Sequence, residues 1–197
     1  MERIEKHPFS ALKLLAIIVV VFVLQFLVGS ITDIFKLTSS DVFSRPWILL
    51  TSVFLHGSLT HLLYNMFALA LFGTLLEGFV GKKKFLAIFF VTGILASFVA
   101  SFFYSSALGA SGAIMGVIGA LAILRPGMMI FAFGVPMPMV LAAVLWAALD
   151  LAGVGQPTGV AHIAHLSGMF FGILFGFAFR EQKVKTETIY IENIEEW

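Results

Sequence analysis

Five residues of this chain have side chains whose types and spacing could break a covalent bond: His61, Asn65, Ser111, His162 and His165. A serine hydroxyl is a poor nucleophile until a base takes its proton, and a neutral imidazole suits that task. Ser111 stands between Gly109 and Gly112 at the predicted start of a helix. There its own N–H lacks an intrahelical acceptor and the helix dipole favours negative charge, which would stabilise an oxyanion. The two glycines leave room for a substrate backbone to approach. The Asn65 amide and the His61 ring N–H could add donors, each contributing about 3–4 kcal/mol to an oxyanionic transition state. The 197 residues include no cysteine, so a thiol nucleophile, a thiolate metal site and a disulfide scaffold are excluded. The chemistry that fits is hydrolysis through a serine hydroxyl.

The elements that must position these groups belong in lipid. Hydrophobic residues make up 60% of the chain and charged ones 12%, where a soluble domain carries roughly a quarter charged residues. The mean hydropathy is +1.03, and a net charge of +1 offers no footprint for nucleic acid. A spanning helix needs about 20 apolar residues, at a rise of about 1.5 Å each. Six segments meet or approach that length: 12–29, 59–76, 85–103, 111–124, 136–151 and 160–179, with 128–134 as a candidate backward extension of the fifth. The expected fold class is an all-α membrane protein, a six-transmembrane-helix bundle with a short central fourth helix and an interfacial loop between helices 1 and 2. The whole of 1–197 reads as one membrane-embedded domain, ending in a polar tail over 180–197. The first segment reads as a retained span, because Gly29-Ser30-Ile31 is a poor cleavage site.

Depth brings the polar residues together. His61 and Asn65 lie 16 and 12 residues before Glu77, Ser111 lies 14 before Arg125, and His165 lies 15 before Arg180. Counted from the inner helix ends, all four sit roughly 18–24 Å up a slab roughly 30 Å thick. The 14-residue fourth helix gives only about 21 Å, so the loop over 104–110 must dip into the membrane, where non-helical backbone needs protein or a water-filled cavity around it. A water-accessible pocket open to the outer side is expected. His165, Gly168 and Gly172 share one helix face, and Gly112, Gly116 and Ala120 form a matching stripe. Packing small residues together would carry His165 towards Ser111.

The neighbouring polar residues read differently. His162 lies one turn above His165 off the glycine face and is expected at the rim, with the role of base as its alternative. His56 is expected to hydrogen-bond locally and hold the outer loop against the second helix. No carboxylate lies at the level of the serine, and Asp150 is the one nearby candidate from a span, so a Ser–His dyad is expected. Glu77 reads as an anchor at the inner interface. The histidines could instead hold a haem or metal, but that leaves Asn65, Ser111 and the short helix unexplained; no metal and no cofactor are expected. Inverted repeats of the transporter type are absent.

Orientation follows the Lys and Arg count. Arg3, Lys6, Lys13, Lys82, Lys83, Lys84, Arg125, Arg180, Lys183 and Lys185 fall on the side of the termini, against Lys36 and Arg45 on the other. Both termini are therefore expected in the cytoplasm of a cell (plasma or inner) membrane, with the site opening outward. The 30–58 loop, with Phe43, Trp47 and Phe54, suits the lipid interface.

Three motifs together resemble the rhomboid family of intramembrane serine proteases: Phe54-Leu55-His56-Gly57-Ser58-Leu59-Thr60-His61-Leu62-Leu63-Tyr64-Asn65 with Glu77, Gly109-Ala110-Ser111-Gly112, and Ala164-His165-Leu166-Ser167-Gly168 with Gly172. The resemblance spans about three-fifths of the chain. It implies Ser111 as nucleophile, His165 as base, and His61, Asn65 and the Ser111 N–H as the oxyanion site. It implies transmembrane protein substrates, cut within or beside a helix after a small residue. Two positions depart from the pattern. Met115 replaces a frequent aromatic four residues after the serine, and Trp47-Ile48 replaces a Trp-Arg pair, with Arg45 two positions earlier. An inactive relative that binds membrane helices is the alternative function.

Overall fold

A computed structural model describes residues 10–195, and the surroundings of side chains over 10–180. Arg3, Lys6 and the side chains of Lys183 and Lys185 lie outside the described residues, as does the side-chain character of the 180–197 tail. Six long helices carry the fold: α1 (Ser10–Leu27), α2 (Leu59–Val80), α3 (Lys82–Ala100), α4 (Ser111–Leu124), α5 (Met139–Gly153) and α6 (His162–Glu195). The segments Ser10–Leu27, Leu59–Val80, Lys82–Ala100 and His162–Arg180 are long and apolar enough to cross a membrane, while α4 and α5 are shorter, at 14 and 15 residues.

Each boundary has a local cause. Ser58 caps α2, its hydroxyl accepting the His61 N–H at 3.1 Å. Gly81, at φ +78°, ends α2 and turns the chain into α3. A π-helical segment over Leu69–Gly73 interrupts α2; a Cβ on Gly73 would press on Ala11, so this glycine lets α1 lie close. Glu77 joins the C-terminal end of α2 to the start of α1, its two carboxylate oxygens accepting the Ser10 and Ala11 N–H groups at 2.8 and 2.9 Å. A negative side chain on otherwise unsatisfied N–H groups at a helix start is doubly favourable.

α4 is the axis of the bundle. Gly112 to Ala122 are continuously buried, which small and apolar residues on every face permit. A Cβ on Gly168 would overlap the Gly112 carbonyl, one on Gly172 the Gly116 carbonyl, and one on Gly119 the Met169 carbonyl. Cβ atoms on Gly112 and Gly116 would strike Ala96 and Thr92 of α3. The glycine stripes thus set α6 on one side of α4 at backbone contact, and α3 on another through the small side chains of Ala96 and Thr92. On α1, Ala11, Leu14 and Ile18 face the core, and Val20, Val23, Phe26 and Leu27 remain exposed for lipid.

One expected element differs. The 128–134 stretch does not extend α5; β3 (Met129–Ala132) and β4 (Val135–Pro138) form an antiparallel hairpin. Phe133 and Gly134 both have positive φ, 54° and 83°, as a tight two-residue hairpin turn requires. Pro136 and Pro138 forbid helix there, and burial alternates along β3 with Ile130 and Ala132 inward.

Candidate active site

The loop that delivers Ser111 is held by protein along its length. β1 (Leu37–Thr38) pairs antiparallel with β2 (Ser106–Ala107). Ser39 N–H donates to the Ser105 carbonyl at 3.1 Å, and Gly109 N–H to the Ser52 carbonyl at 2.9 Å. The Tyr104 hydroxyl accepts the Ile163 N–H at 3.0 Å, tying the loop to the start of α6. Non-helical backbone at membrane depth demands this kind of satisfaction. Gly109 has φ +127°, and a Cβ there would collide with the His61 ring, so the glycine sets that imidazole beside the serine loop.

Ser111 opens α4, where the first N–H groups have no intrahelical acceptors. Its Oγ lies 2.7 Å from His165 Nε2. The opposite ring nitrogen, His165 Nδ1, lies 2.9 Å from Asp150 Oδ1, and His162 Nδ1 lies 2.7 Å from the same oxygen. A carboxylate can only accept, so both Nδ1 atoms carry hydrogen, and in the neutral rings both Nε2 atoms are acceptors. His165 Nε2 then takes the Ser111 O–H, and His162 Nε2 takes the Thr158 O–H at 2.8 Å. Thr158 Oγ1 in turn accepts the Val160 N–H at 3.2 Å. Each histidine ring nitrogen of this network has a partner.

One expectation needs correction here. A carboxylate is present beside the histidine, because Asp150 is buried at 7% exposure and reaches the far side of His165. The dyad expectation counted depth from helix ends, whereas α5 brings its C-terminal end against α6. His162 meets the loop before α6 through Thr158 and also shares the Asp150 oxygen with His165. Asp150, His162 and His165 each offer a donor atom, all within 4.8 Å of one another, and could hold a metal ion.

On the α2 side, His61 is half-buried and Asn65 buried. The Asn65 Nδ2 donates to the His61 carbonyl at 2.8 Å, and its Oδ1 is buried without a partner among the described residues. His56 holds the loop against α2 as expected, by ring packing and backbone bonds rather than by a ring hydrogen bond. Its ring nitrogens have no hydrogen bond among the described residues, and the ring packs edge-on against His61 at 5.0 Å between centroids. Burial, with the nearby His61, pushes the His56 imidazole down to about 4. Its backbone holds the loop: Gln25 Oε1 accepts the His56 N–H at 3.0 Å, and Gln25 Nε2 donates to the His56 carbonyl at 3.3 Å. Gln25, a lone amide in an apolar span, was the available signal for that contact.

Beside Ser111 a small open pocket is lined by Ser52, Gly93, Ala96, Ser97, Gly109 and Ala164 among others. Met115 is buried within α4, Ile48 is fully buried, and Arg45 pairs with Asp41.

The Rhomboid domain model matches residues 44–182, well over half of the chain. The chain belongs to the rhomboid family. This rhomboid is 33% identical over 147 residues to "Presenilin-associated rhomboid-like protein, mitochondrial" of Rattus norvegicus, covering 70% of this chain and 38% of that protein. It is 31% identical over 157 residues to "Rhomboid protein 1, mitochondrial" of Saccharomyces cerevisiae, covering 73% of this chain and 44% of that one. It is 46% identical over 77 residues to "Rhomboid protease GluP" of Bacillus subtilis, covering 38% of this chain and 15% of that one. The chain thus spans less than half the length of these relatives. Family and apolar helices together make it an integral multi-pass membrane protein.

Proposed function

We propose that this rhomboid is an intramembrane serine endopeptidase that hydrolyses a peptide bond within or beside the transmembrane segment of other membrane proteins. The observation that carries the reading is the 2.7 Å approach of His165 Nε2 to Ser111 Oγ, made across two helices. Ser111 Oγ attacks the scissile carbonyl carbon as its proton passes to His165 Nε2. The oxyanion is received by the Ser111 N–H, the His61 ring and the second N–H of the Asn65 amide. Collapse breaks the C–N bond, and His165 hands its proton to the leaving amine. A water then loses a proton to His165 and attacks the acyl ester, which releases the new carboxylate and restores the serine. Asp150 acts through His165: it holds the Nδ1–H tautomer and stabilises the imidazolium that forms. The small-residue wall of the cavity beside Ser111 suits a small side chain before the cleaved bond.

All six helices cross the bilayer in this reading, with loops completing the passage of α4 and α5. The Lys82–Lys84 run, Arg125 and Arg180 mark the cytoplasmic rim of a cell membrane, and the site opens on the opposite side. Phe43 and Trp47, both exposed, lie in the outer lipid interface. No metal or cofactor takes part in the peptide cleavage.

The test uses purified protein in detergent or liposomes with a single-span substrate, beside Ser111→Ala, His165→Ala and His162→Ala variants. Wild-type cleavage lost in Ser111→Ala and His165→Ala supports the reading. Cleavage surviving Ser111→Ala overturns it, as does a wild-type protein that binds the substrate uncut.

A further inference from the structure

We infer that Asp150, His162 and His165 form an inhibitory zinc site, which switches off the base by capturing its Nδ1. The inference deepens the reading above at the same site, and its binding arm does not depend on protease activity. Two imidazoles at i and i+3 on α6 converge with one buried carboxylate of α5, and one donor atom of each lies within 4.8 Å of the others. Two neutral nitrogens and one carboxylate oxygen, with a fourth position left for water, are a donor set that Zn²⁺ takes. The side chains of His162, His165 and Asp150 are 12%, 17% and 10% exposed, so an ion can reach them.

The metal-free contacts, 2.7 and 2.9 Å, are hydrogen bonds with a proton between each nitrogen and the oxygen. Tetrahedral zinc, with ligands at about 2.0–2.1 Å, needs donors roughly 3.3 Å apart. As zinc replaces both protons, these two contacts open by about 0.5 Å and the two imidazole nitrogens, within 4.8 Å of each other, settle to the same spacing by side-chain rotation. Each ring stays neutral: its Nδ1 loses a proton to solvent and its Nε2 gains one. Thr158 Oγ1, already 2.8 Å from His162 Nε2, becomes the acceptor of one new N–H. Ser111 Oγ, 2.7 Å from His165 Nε2, becomes the acceptor of the other. Both outer partners needed to orient metal-bound imidazoles are thus in place. The consequence for catalysis is direct. With a proton on Nε2, His165 has no lone pair left for the Ser111 hydroxyl, and the nucleophile cannot be activated.

Zinc binding is measured first, by competition with a chromophoric chelator, on wild-type, His162→Ala and Asp150→Asn proteins in detergent. One zinc per chain is expected for the first. Affinity should be weaker by at least about 100-fold in the other two, since outer partners alone carry roughly 10–100-fold. The wild type is then assayed in zinc, with Mg²⁺ as the hard-cation control and EDTA to restore the rate. His162→Gln, normalised to its own zinc-free rate, should need at least about 100-fold more zinc for half-inhibition. Zinc held equally by the variants, or His162→Gln as sensitive as wild type, overturns the inference, as does absence of binding to the wild type. A protein that binds zinc at this site yet cleaves no substrate overturns the protease reading instead.

Discussion

Replacing Asp150 separates what its charge does from what its oxygen does. Both histidine contacts end on one atom, Oδ1. An asparagine can set its carbonyl oxygen at that point, accept both Nδ1–H groups and keep His165 aimed at Ser111. Asp150→Asn therefore removes the negative charge and little else. An imidazolium and a carboxylate about 4 Å apart attract by about 4 kcal/mol at an effective dielectric of about 20. Solvent at this partly open site reduces that figure, and each 1.36 kcal/mol is tenfold in rate. A loss of about 10²–10³-fold in kcat is expected, with KM changed by less than about twofold. Asp150→Ala additionally leaves two Nδ1–H groups without their acceptor, at about 1–3 kcal/mol each, and frees the ring to turn. Its loss should be about 10⁴-fold, with the residual rate supplied by the oxyanion donors. The assay is single-turnover cleavage of a single-span substrate in detergent, with Ser111→Ala as baseline. An Asp150→Ala protein within about threefold of wild type would refute the reasoning, and the dyad without a carboxylate would then suffice.

Other perturbations test the scaffold and the oxyanion donors. Gly168→Val forces α6 off the Gly112 carbonyl; a displacement of roughly 1 Å should cost about 10²-fold in kcat, with about 1–3 kcal/mol of stability lost in a thermal melt. Full activity in that variant contradicts backbone contact between the helices. Glu77→Ala uncaps α1 at both Ser10 and Ala11 and should destabilise by about 2 kcal/mol, whereas Glu77→Gln, which keeps one acceptor, should lose less; equal melting temperatures count against the cap. His61→Ala should lower kcat by about 10²–10³-fold with KM little changed, and a pure KM effect would move His61 from oxyanion donor to substrate binding. Gln25→Leu frees both bonds to the His56 backbone and should cost about 1–2 kcal/mol, read as a lower melting temperature with the catalytic geometry intact.

Much of this was legible before any coordinates, and the reasons are physical. α4 begins at Ser111 and ends at Leu124, the bounds expected from sequence, because Gly109 and Arg125 flank an uninterrupted apolar run. The approach of α6 to α4 was written in Gly168 and Gly172, since only residues without side chains allow backbone contact. The hairpin after α4 was misread because apolar content outweighed Pro136, Pro138 and the Phe133-Gly134 turn. The role of His56 in holding the loop was legible, but not its means, which are ring packing on His61 and backbone bonds to Gln25 rather than a ring hydrogen bond.

The residue types, and an expected common height for His61, Asn65, Ser111 and His165, come from the sequence alone, because bilayer thickness and helix rise convert residue counts into height. Height says nothing of azimuth between helices. Whether His165 or His162 meets Ser111, and whether Asp150 reaches either, depends on how far α5 and α6 turn and tilt against α4. Glycine-to-carbonyl contacts set α6 against α4, and Gly153, where a Cβ would strike the His162 ring, lets α5 come close enough for Asp150 to meet His162 and His165, 12 and 15 residues along the chain. Only the packed bundle could put one carboxylate oxygen between two imidazoles.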